Sequence, residues 1–245
     1  MPGSAAPLLQ VAALSKAFGG LLAVDDLSFT IDPGEVLGLL GPNGSGKTTT
    51  FGLVAGALRP DRGDILFAGR PVTRWPASRR AAVGIARTFQ LIRVFLSLTA
   101  LENVLVACLY GRGRARSPAR ARADACALLE QVGMAHKRDA RARDLTLGER
   151  RRLEIARALA TRPRLLLLDE PVAGLTATEV DAAVALFRGI RAEGVAIALV
   201  EHNVRAVRAL CDRVVVLHAG RKIAQGTPED VFAHAAVVAA YLGRR

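Results

Sequence analysis

Cysteine is scarce in this chain. The three present, Cys108, Cys126 and Cys211, form no CxxC pair and are odd in number. That argues against a disulfide framework or a zinc site and fits a reducing compartment. Long apolar runs are missing as well: none approaches the roughly 20 residues a membrane span needs, and "VVAAYL" near the C-terminus falls far short. The opening "MPGSAAPLLQ" has no basic stretch followed by an apolar core, so no signal peptide is read there. The expected setting is soluble and cytoplasmic. Lysine is also rare: of 34 basic residues only four are lysine, and against 22 acidic residues the formal net charge is +12. Such a surplus suggests an anionic partner, whether nucleotide, nucleic acid or anionic lipid, and says nothing about fold. What is plentiful is apolar residues, 51% of 245, enough to bury a sizeable core.

Along the chain, "LLQVAALSKAF" and "AVDDLSFTI" read as strands, with "DPG" at 32–34 as a turn. "EVLGLLG" is a buried strand, followed by a glycine-rich loop and a helix from about Lys47; "GDILFAG" is another strand. Residues 91–150 turn helical and arginine-rich, with "GRGRARSPARARA" as an exposed basic loop or helix start. Three apolar runs, "LLLLDE", "VAIALVEH" and "RVVVLHAG", then return as strands separated by helices. Strands alternating with helices predict a parallel α/β sheet, with the helical middle inserted into it.

The glycine-rich loop carries chemistry. "GPNGSGKT", Gly41, Pro42, Asn43, Gly44, Ser45, Gly46, Lys47 and Thr48, with Thr49 following, fits GxxxxGK[ST] between a predicted strand and helix. Glycines let the backbone N–H groups approach phosphate oxygens. Lys47 would reach the β- and γ-phosphates and Thr48 would offer its hydroxyl to Mg²⁺. A nucleoside triphosphate is therefore the expected ligand. "LLLLDEP" then ends an apolar strand in two acids, where ligands sit in open α/β sheets. Asp169 is placed to hold Mg²⁺ through water, and Glu170 to polarise the attacking water as a general base.

With these motifs in order, the chain resembles the ATP-binding cassette ATPases over nearly its full length. The resemblance implies a P-loop NTPase core (7–90 and 161–245) with a mostly parallel sheet and an N-terminal antiparallel β-subdomain. A helical subdomain at about 91–160 is inserted, and the whole is a single nucleotide-binding domain. It implies that Gln90, in "RTFQ", contacts Mg²⁺ and the water, that His202, in "LVEHN", contacts the γ-phosphate, and that Phe18, in "KAFGG", stacks on adenine. It further implies that "LTLGE" is the signature, usually LSGGQ, binding ATP held by a second subunit. There Thr146 keeps the hydroxyl and Gly148 the close backbone approach, while Leu147 replaces a glycine and Glu149 a glutamine. In "AGLT", Thr176 stands where an aspartate is usual. One chain then holds only part of each site, and a head-to-tail homo- or heterodimer of cassettes is expected.

Within the family, "ARTFQLIRVFLSLTALENVLVA", "GERRRLEIARALATRPRLLLLDEP" and the ending "AYLG" are similar to the ATPases of branched-chain amino acid importers. Two membrane permease subunits and, indirectly, a periplasmic or extracellular solute-binding protein are the implied partners, at the cytoplasmic face of the inner membrane. "GERRR" and "CDRVVVLHAGRKIAQGTP" also resemble the lipopolysaccharide-export ATPase, and importers of urea or short amides share the pattern. Nucleic-acid-handling cassettes carry coiled-coil insertions, zinc cysteines or a second cassette; none is here, and no nucleic-acid partner is expected. The basic loop from Arg112 to Arg122 lacks aromatics for base stacking and reads as a solvated or permease-proximal excursion, with anionic lipid as a secondary partner. The triple arginine Arg150–Arg152 opens a helix on which Arg150 and Arg151 lie four and three residues from Glu154, which predicts pairing with it. Leu153, Ala156, Leu159 and Ala160 form the inward face.

Overall fold

The computed structural model describes residues 6–90, 92–112 and 117–242. Two sheets organise the chain. Strands β1 (Leu9–Phe18), β2 (Leu21–Ile31), β4 (Arg62–Phe67) and β5 (Arg70–Pro71) form an antiparallel sheet in the order β2-β1-β4-β5. The second sheet takes β3 (Val36–Leu40), β6 (Ile85–Arg87), β7 (Leu165–Asp169), β8 (Ala196–Val200), β9 (Arg213–His218) and β10 (Arg221–Gly226), in the order β10-β9-β3-β8-β7-β6. All its pairings are parallel except that of the edge strand β10 with β9. Around the sheets lie α1 (Lys47–Ala55), α2 (Ala77–Val83), α3 (Ala100–Tyr110), α4 (Pro118–Gln131), α5 (Leu147–Ala160), α6 (Ala177–Ala192), α7 (Val204–Leu210), α8 (Pro228–Ala233) and α9 (Ala235–Leu242).

The continuous apolar runs have a simple cause: the parallel sheet is covered on both faces. Successive side chains of a strand point to opposite sides, so Leu166 and Leu168 of β7 join one core while Leu165 and Leu167 join the other. β3 divides likewise, with Val36 and Leu40 in the first core and Leu37 and Leu39 in the second. The first core continues into α3, α4 and α5, which pack on one another. The second is closed by the antiparallel sheet and by Phe51, Leu53 and Val54 of α1.

Three helices begin with the same device. Thr99, Thr146 and Thr176 each cap a helix whose N3 residue, Glu102, Glu149 or Glu179, reaches back to the cap's own N–H. Thr176, in the place of the usual aspartate, thus performs the capping that a short oxygen-bearing side chain supplies. The predicted arginine pairing in α5 is not found. Arg150 donates to the carbonyls of Ala142 and Arg143 at 3.0 and 2.6 Å, and Arg151 donates to the Ala173 carbonyl. Glu154 faces inward instead, buried, accepting the Arg93 backbone N–H at 3.1 Å. Helical spacing alone does not decide which side of a helix a long carboxylate takes. The apolar face of Leu153, Ala156, Leu159 and Ala160 is buried as expected. In the basic loop, residues 113–116 lie outside the described residues. Ser117 caps α4, Arg112 donates to the Arg162 carbonyl at 3.3 Å, and Arg120 pairs with Asp124 at 2.9 Å. Among the described residues no helix is long and apolar enough to cross a membrane.

Candidate active site

The carboxyl ends of β3, β6, β7 and β8 are neighbours in the sheet order, which puts four chain segments at one edge, where open α/β sheets bind ligands. The loop after β3 begins at Gly41, whose φ is 147°; a Cβ there would overlap the Leu217 carbonyl. It ends at Gly46, φ 101°, where a Cβ would overlap the Ala23 carbonyl of β2. Only glycine meets both demands, so the loop is wrapped tightly by its neighbours rather than held by its own side chains. Ser45 donates its N–H to the Pro42 carbonyl at 3.2 Å, closing a turn with exposed Asn43 and Gly44 at its tip.

Lys47 is buried at the first position of α1, with Nζ donating to the Gly41 and Pro42 carbonyls at 2.7 and 2.8 Å. Burial draws its pKa below the ordinary lysine value, and the carboxylates of Glu170 and Asp169 partly offset this. The lysine and the two acids thus share one local field. Thr48 is exposed beside it, and Thr49 half-buried.

Asp169 ends β7, is almost wholly buried, and accepts from Arg87 Nη2 at 2.8 Å. Glu170 follows with φ 53°, a left-handed conformation uncommon for a residue with a side chain and of the kind that collects at functional sites. Its N–H donates to the Val200 carbonyl at 2.9 Å, and its Oε1 lies 3.3 Å from Nε2 of His202. Glu201 fixes that pairing: buried, it accepts the N–H groups of Val172, His202 and Asn203 at 2.9, 3.0 and 3.3 Å. One carboxylate so ties the turn after β7 to the turn after β8. Neither Glu201 nor Arg87 is signalled by the motifs as a working residue, although both lie inside quoted segments. Gln90, exposed three residues beyond β6, lines a small crevice with Asp169 and Glu170.

Phe18 is 46% exposed at the end of β1, its ring 5.5 Å from Lys16 Nζ, on the hairpin whose second strand supplies the carbonyl under Gly46. An exposed aromatic face on a hairpin that meets the phosphate loop through Ala23 is available for stacking. Thr146, Leu147, Gly148 and Glu149 are placed elsewhere. Among the described residues, no hydrogen bond or ion pair joins them to residues 41–49, and Leu147 is 63% exposed.

The donors fit Mg²⁺. Asp169 Oδ1 and Ser45 Oγ are buried without a hydrogen-bond partner, hard oxygen atoms of the type the ion takes. The described residues contain no cluster of three or more His, Cys, Asp or Glu able to hold a metal by itself. An ion held by phosphates and one or two protein oxygens needs no such cluster.

A phosphate loop between strand and helix, a buried lysine, and paired acids on a neighbouring strand end define a P-loop nucleoside triphosphatase. The chain belongs to the ATP-binding cassette transporter ATPases: the family model described as ABC transporter matches residues 24–173. A second model, described as branched-chain amino acid ATP-binding cassette transporter, matches residues 221–245. The high-affinity branched-chain amino acid transport ATP-binding protein BraF of Pseudomonas aeruginosa is 39% identical, over 97% of this chain and 98% of its own. The lipopolysaccharide export system ATP-binding protein LptB of Acidithiobacillus ferridurans is also 39% identical, over 96% of this chain and 97% of its own. The ADP conformation of MJ1267, an ATP-binding cassette of an ABC transporter, superposes with a TM-score of 0.87 at 28% identity, covering 98% of this chain and all of that one.

Proposed function

We propose that the chain is the ATP-hydrolysing subunit of an importer of branched-chain and other hydrophobic amino acids, acting at the cytoplasmic face of the membrane. The match of residues 221–245 to the branched-chain transporter model carries this reading, because identity alone does not separate BraF from LptB. Two cassettes close over two ATP molecules, two permease subunits receive the motion, and a solute-binding protein outside delivers the amino acid.

In this reading Gly41 to Thr49 cradle the phosphates and Phe18 stacks on the adenine. Thr48, Asp169 and Gln90 would hold Mg²⁺, which when bound neutralises phosphate charge as the transferred group separates. Glu170 takes the proton of the attacking water, and His202, 3.3 Å from it, orients that carboxylate and donates toward the γ-phosphate. Thr146 to Glu149 address the other cassette's ATP. Residues 91–160 act as one subdomain whose movement passes through Gln90. Beside it lies a groove of about 490 Å³ lined by Phe89, Arg93, Phe95, Glu154 and Arg157, suited to a permease segment.

The test is uptake of radiolabelled leucine, isoleucine and valine by cells lacking the gene. Uptake is expected to fall and to return with the wild-type chain but not with Glu170→Gln, whose purified form binds ATP and turns it over about 100-fold or more slowly. Unchanged uptake together with a defect in lipid export would favour the LptB-like reading. Unchanged amino acid uptake with loss of urea or amide uptake would favour the third. Wild-type turnover by Glu170→Gln would remove the base assignment.

A further inference from the structure

Arg87 has no role in the scheme above, yet it is the cation nearest the acid assigned to the metal. It ends β6, and β6 pairs in parallel with β7, so the two side chains reach the same edge of the sheet. Nη2 donates to Asp169 Oδ2 at 2.8 Å, with the side chains only 11% and 1% exposed. Thr88 fixes the register beside the pair: its N–H donates to the Leu167 carbonyl at 2.9 Å, and its Oγ1 accepts the Asp169 N–H at 3.4 Å. Two atoms of the pair remain orphaned, Asp169 Oδ1 and Arg87 Nε, both buried and without a partner. The carboxylate is thus held by one oxygen and has the other free. The ring of Phe89 stands 5.3 Å from the Arg87 guanidinium and 4.4 Å from that of Arg93, and Arg87 also lines the groove beside Gln90.

The charges explain why a cation is needed there. Without metal, a triphosphate would enter a pocket containing the carboxylates of Asp169 and Glu170, with Lys47 the single cation of the loop and already in the field of both acids. A buried carboxylate left without a counter-charge is costly, and the cost rises when an anion arrives.

We propose that Arg87 is a positioning residue that serves as the resident counter-cation of Asp169. It holds Oδ2, leaves Oδ1 as the free acceptor, and supplies charge balance whenever the divalent ion is not there. The proposal rests on the assignment of Asp169 to the metal. Arg87 does not touch the nucleotide. Its effect is on how far nucleotide affinity depends on Mg²⁺.

The experiment measures ATP binding to the purified full-length chain by calorimetry, in Mg²⁺ and in EDTA, for wild type, Arg87→Gln, Arg87→Lys, Asp169→Asn and the double variant Arg87→Gln with Asp169→Asn. Arg87→Gln is expected to weaken binding in EDTA about tenfold and binding in Mg²⁺ less than about threefold, because the ion replaces the missing charge. Arg87→Lys should restore most of the EDTA affinity, and in the Asp169→Asn background Arg87→Gln should change neither condition. Equal weakening in both conditions, or an EDTA effect that persists with Asp169→Asn, would overturn the proposal. If Asp169→Asn alone leaves the benefit of Mg²⁺ intact, the assignment of Asp169 to the metal fails, and the proposal with it. Should Arg87→Gln not fold, the double variant leaves no buried charge unpaired. Its recovery of a cooperative melt would support the pair, and its failure to recover would overturn it.

Discussion

Glu149 illustrates how one side chain can serve the fold and, in the role proposed for Thr146 to Glu149, oppose a ligand. Its carboxylate accepts the Thr146 N–H at 2.8 Å, and the Thr146 hydroxyl accepts the Glu149 N–H at 3.3 Å. Two of the donors at the start of α5 are thereby used within the chain. The N–H groups of Leu147 and Gly148 have no partner among the described residues and remain for a phosphate. The bond from the Thr146 backbone, ahead of the other contributions, holds the Glu149 pKa below the usual carboxylate value. Because that pKa is depressed on folding, the box stabilises at pH above the ordinary carboxylate range. The stabilisation is lost as pH falls through the lowered value. At neutral pH a full negative charge therefore stands where the other cassette's ATP is proposed to bind. Glu149→Gln keeps an acceptor for the Thr146 N–H and removes the charge. In a Glu170→Gln background it is expected to raise ATP-dependent dimerisation about threefold to tenfold, measured by sedimentation. Unchanged dimerisation would mean that the carboxylate does not face the nucleotide. The sequence shows that a glutamate replaces the usual glutamine; which donors it occupies depends on cap geometry, which letters do not carry.

At the scale of elements, the helix that opens at the phosphate loop is secured from its far end. Arg80 of α2, 1% exposed, donates to the carbonyls of Leu53, Val54, Thr73 and Trp75 at 2.5, 2.8, 2.8 and 3.1 Å. Burial lowers its pKa to about 10, so it stays charged at neutral pH. The C-terminal carbonyls of α1 supply the negative end of the helix dipole in place of a carboxylate. Arg80→Ala removes a donor from four carbonyls, two of them on buried residues, and opens a cavity. A loss of about 3 kcal/mol or more in denaturant unfolding is expected, with less than half recovered by Arg80→Lys, whose single ammonium cannot reach all four. A loss under about 1 kcal/mol would show that water replaces the guanidinium. None of this is visible in "ASRRAAV", where Arg79 and Arg80 look alike. What was legible follows a physical divide. Strands buried on both faces announce themselves as apolar runs, so β3, β7, β8 and β9 could be read directly. β6 has three residues, and the edge strand β10 is "RKIAQG"; length and polarity hide both. The phosphate loop and the paired acids were legible because backbone approach and charge demand particular residues at fixed spacing. Arg87 and Glu201 were not, since the bonds that give them work, to Asp169 and to the Val172 N–H, span 82 and 29 residues of sequence.

For the whole molecule, the main fact is separation: the signature residues share no hydrogen bond or ion pair with the phosphate loop among the described residues. If, as proposed, the site is completed only by a second copy or a paralogue, turnover depends on encounter. With the isolated chain, specific ATPase activity is expected to fall about twofold for each twofold dilution below the dimerisation constant. Specific activity that stays constant where sedimentation shows only monomers would contradict shared sites. The order of the parallel sheet has a further consequence, for synthesis on the ribosome. β3, which leads into the phosphate loop, pairs only with β8 and β9, and β8 begins at Ala196. After Leu40 emerges, about 150 residues must follow before either partner exists, roughly 8–30 s at the usual ~5–20 residues per second. Throughout that interval "VLGLL" is an apolar strand with nothing to pair with. Nascent chains stopped short of the last sixty residues would carry every letter of the phosphate loop and the antiparallel sheet that packs under Gly46, but neither of the strands that flank β3.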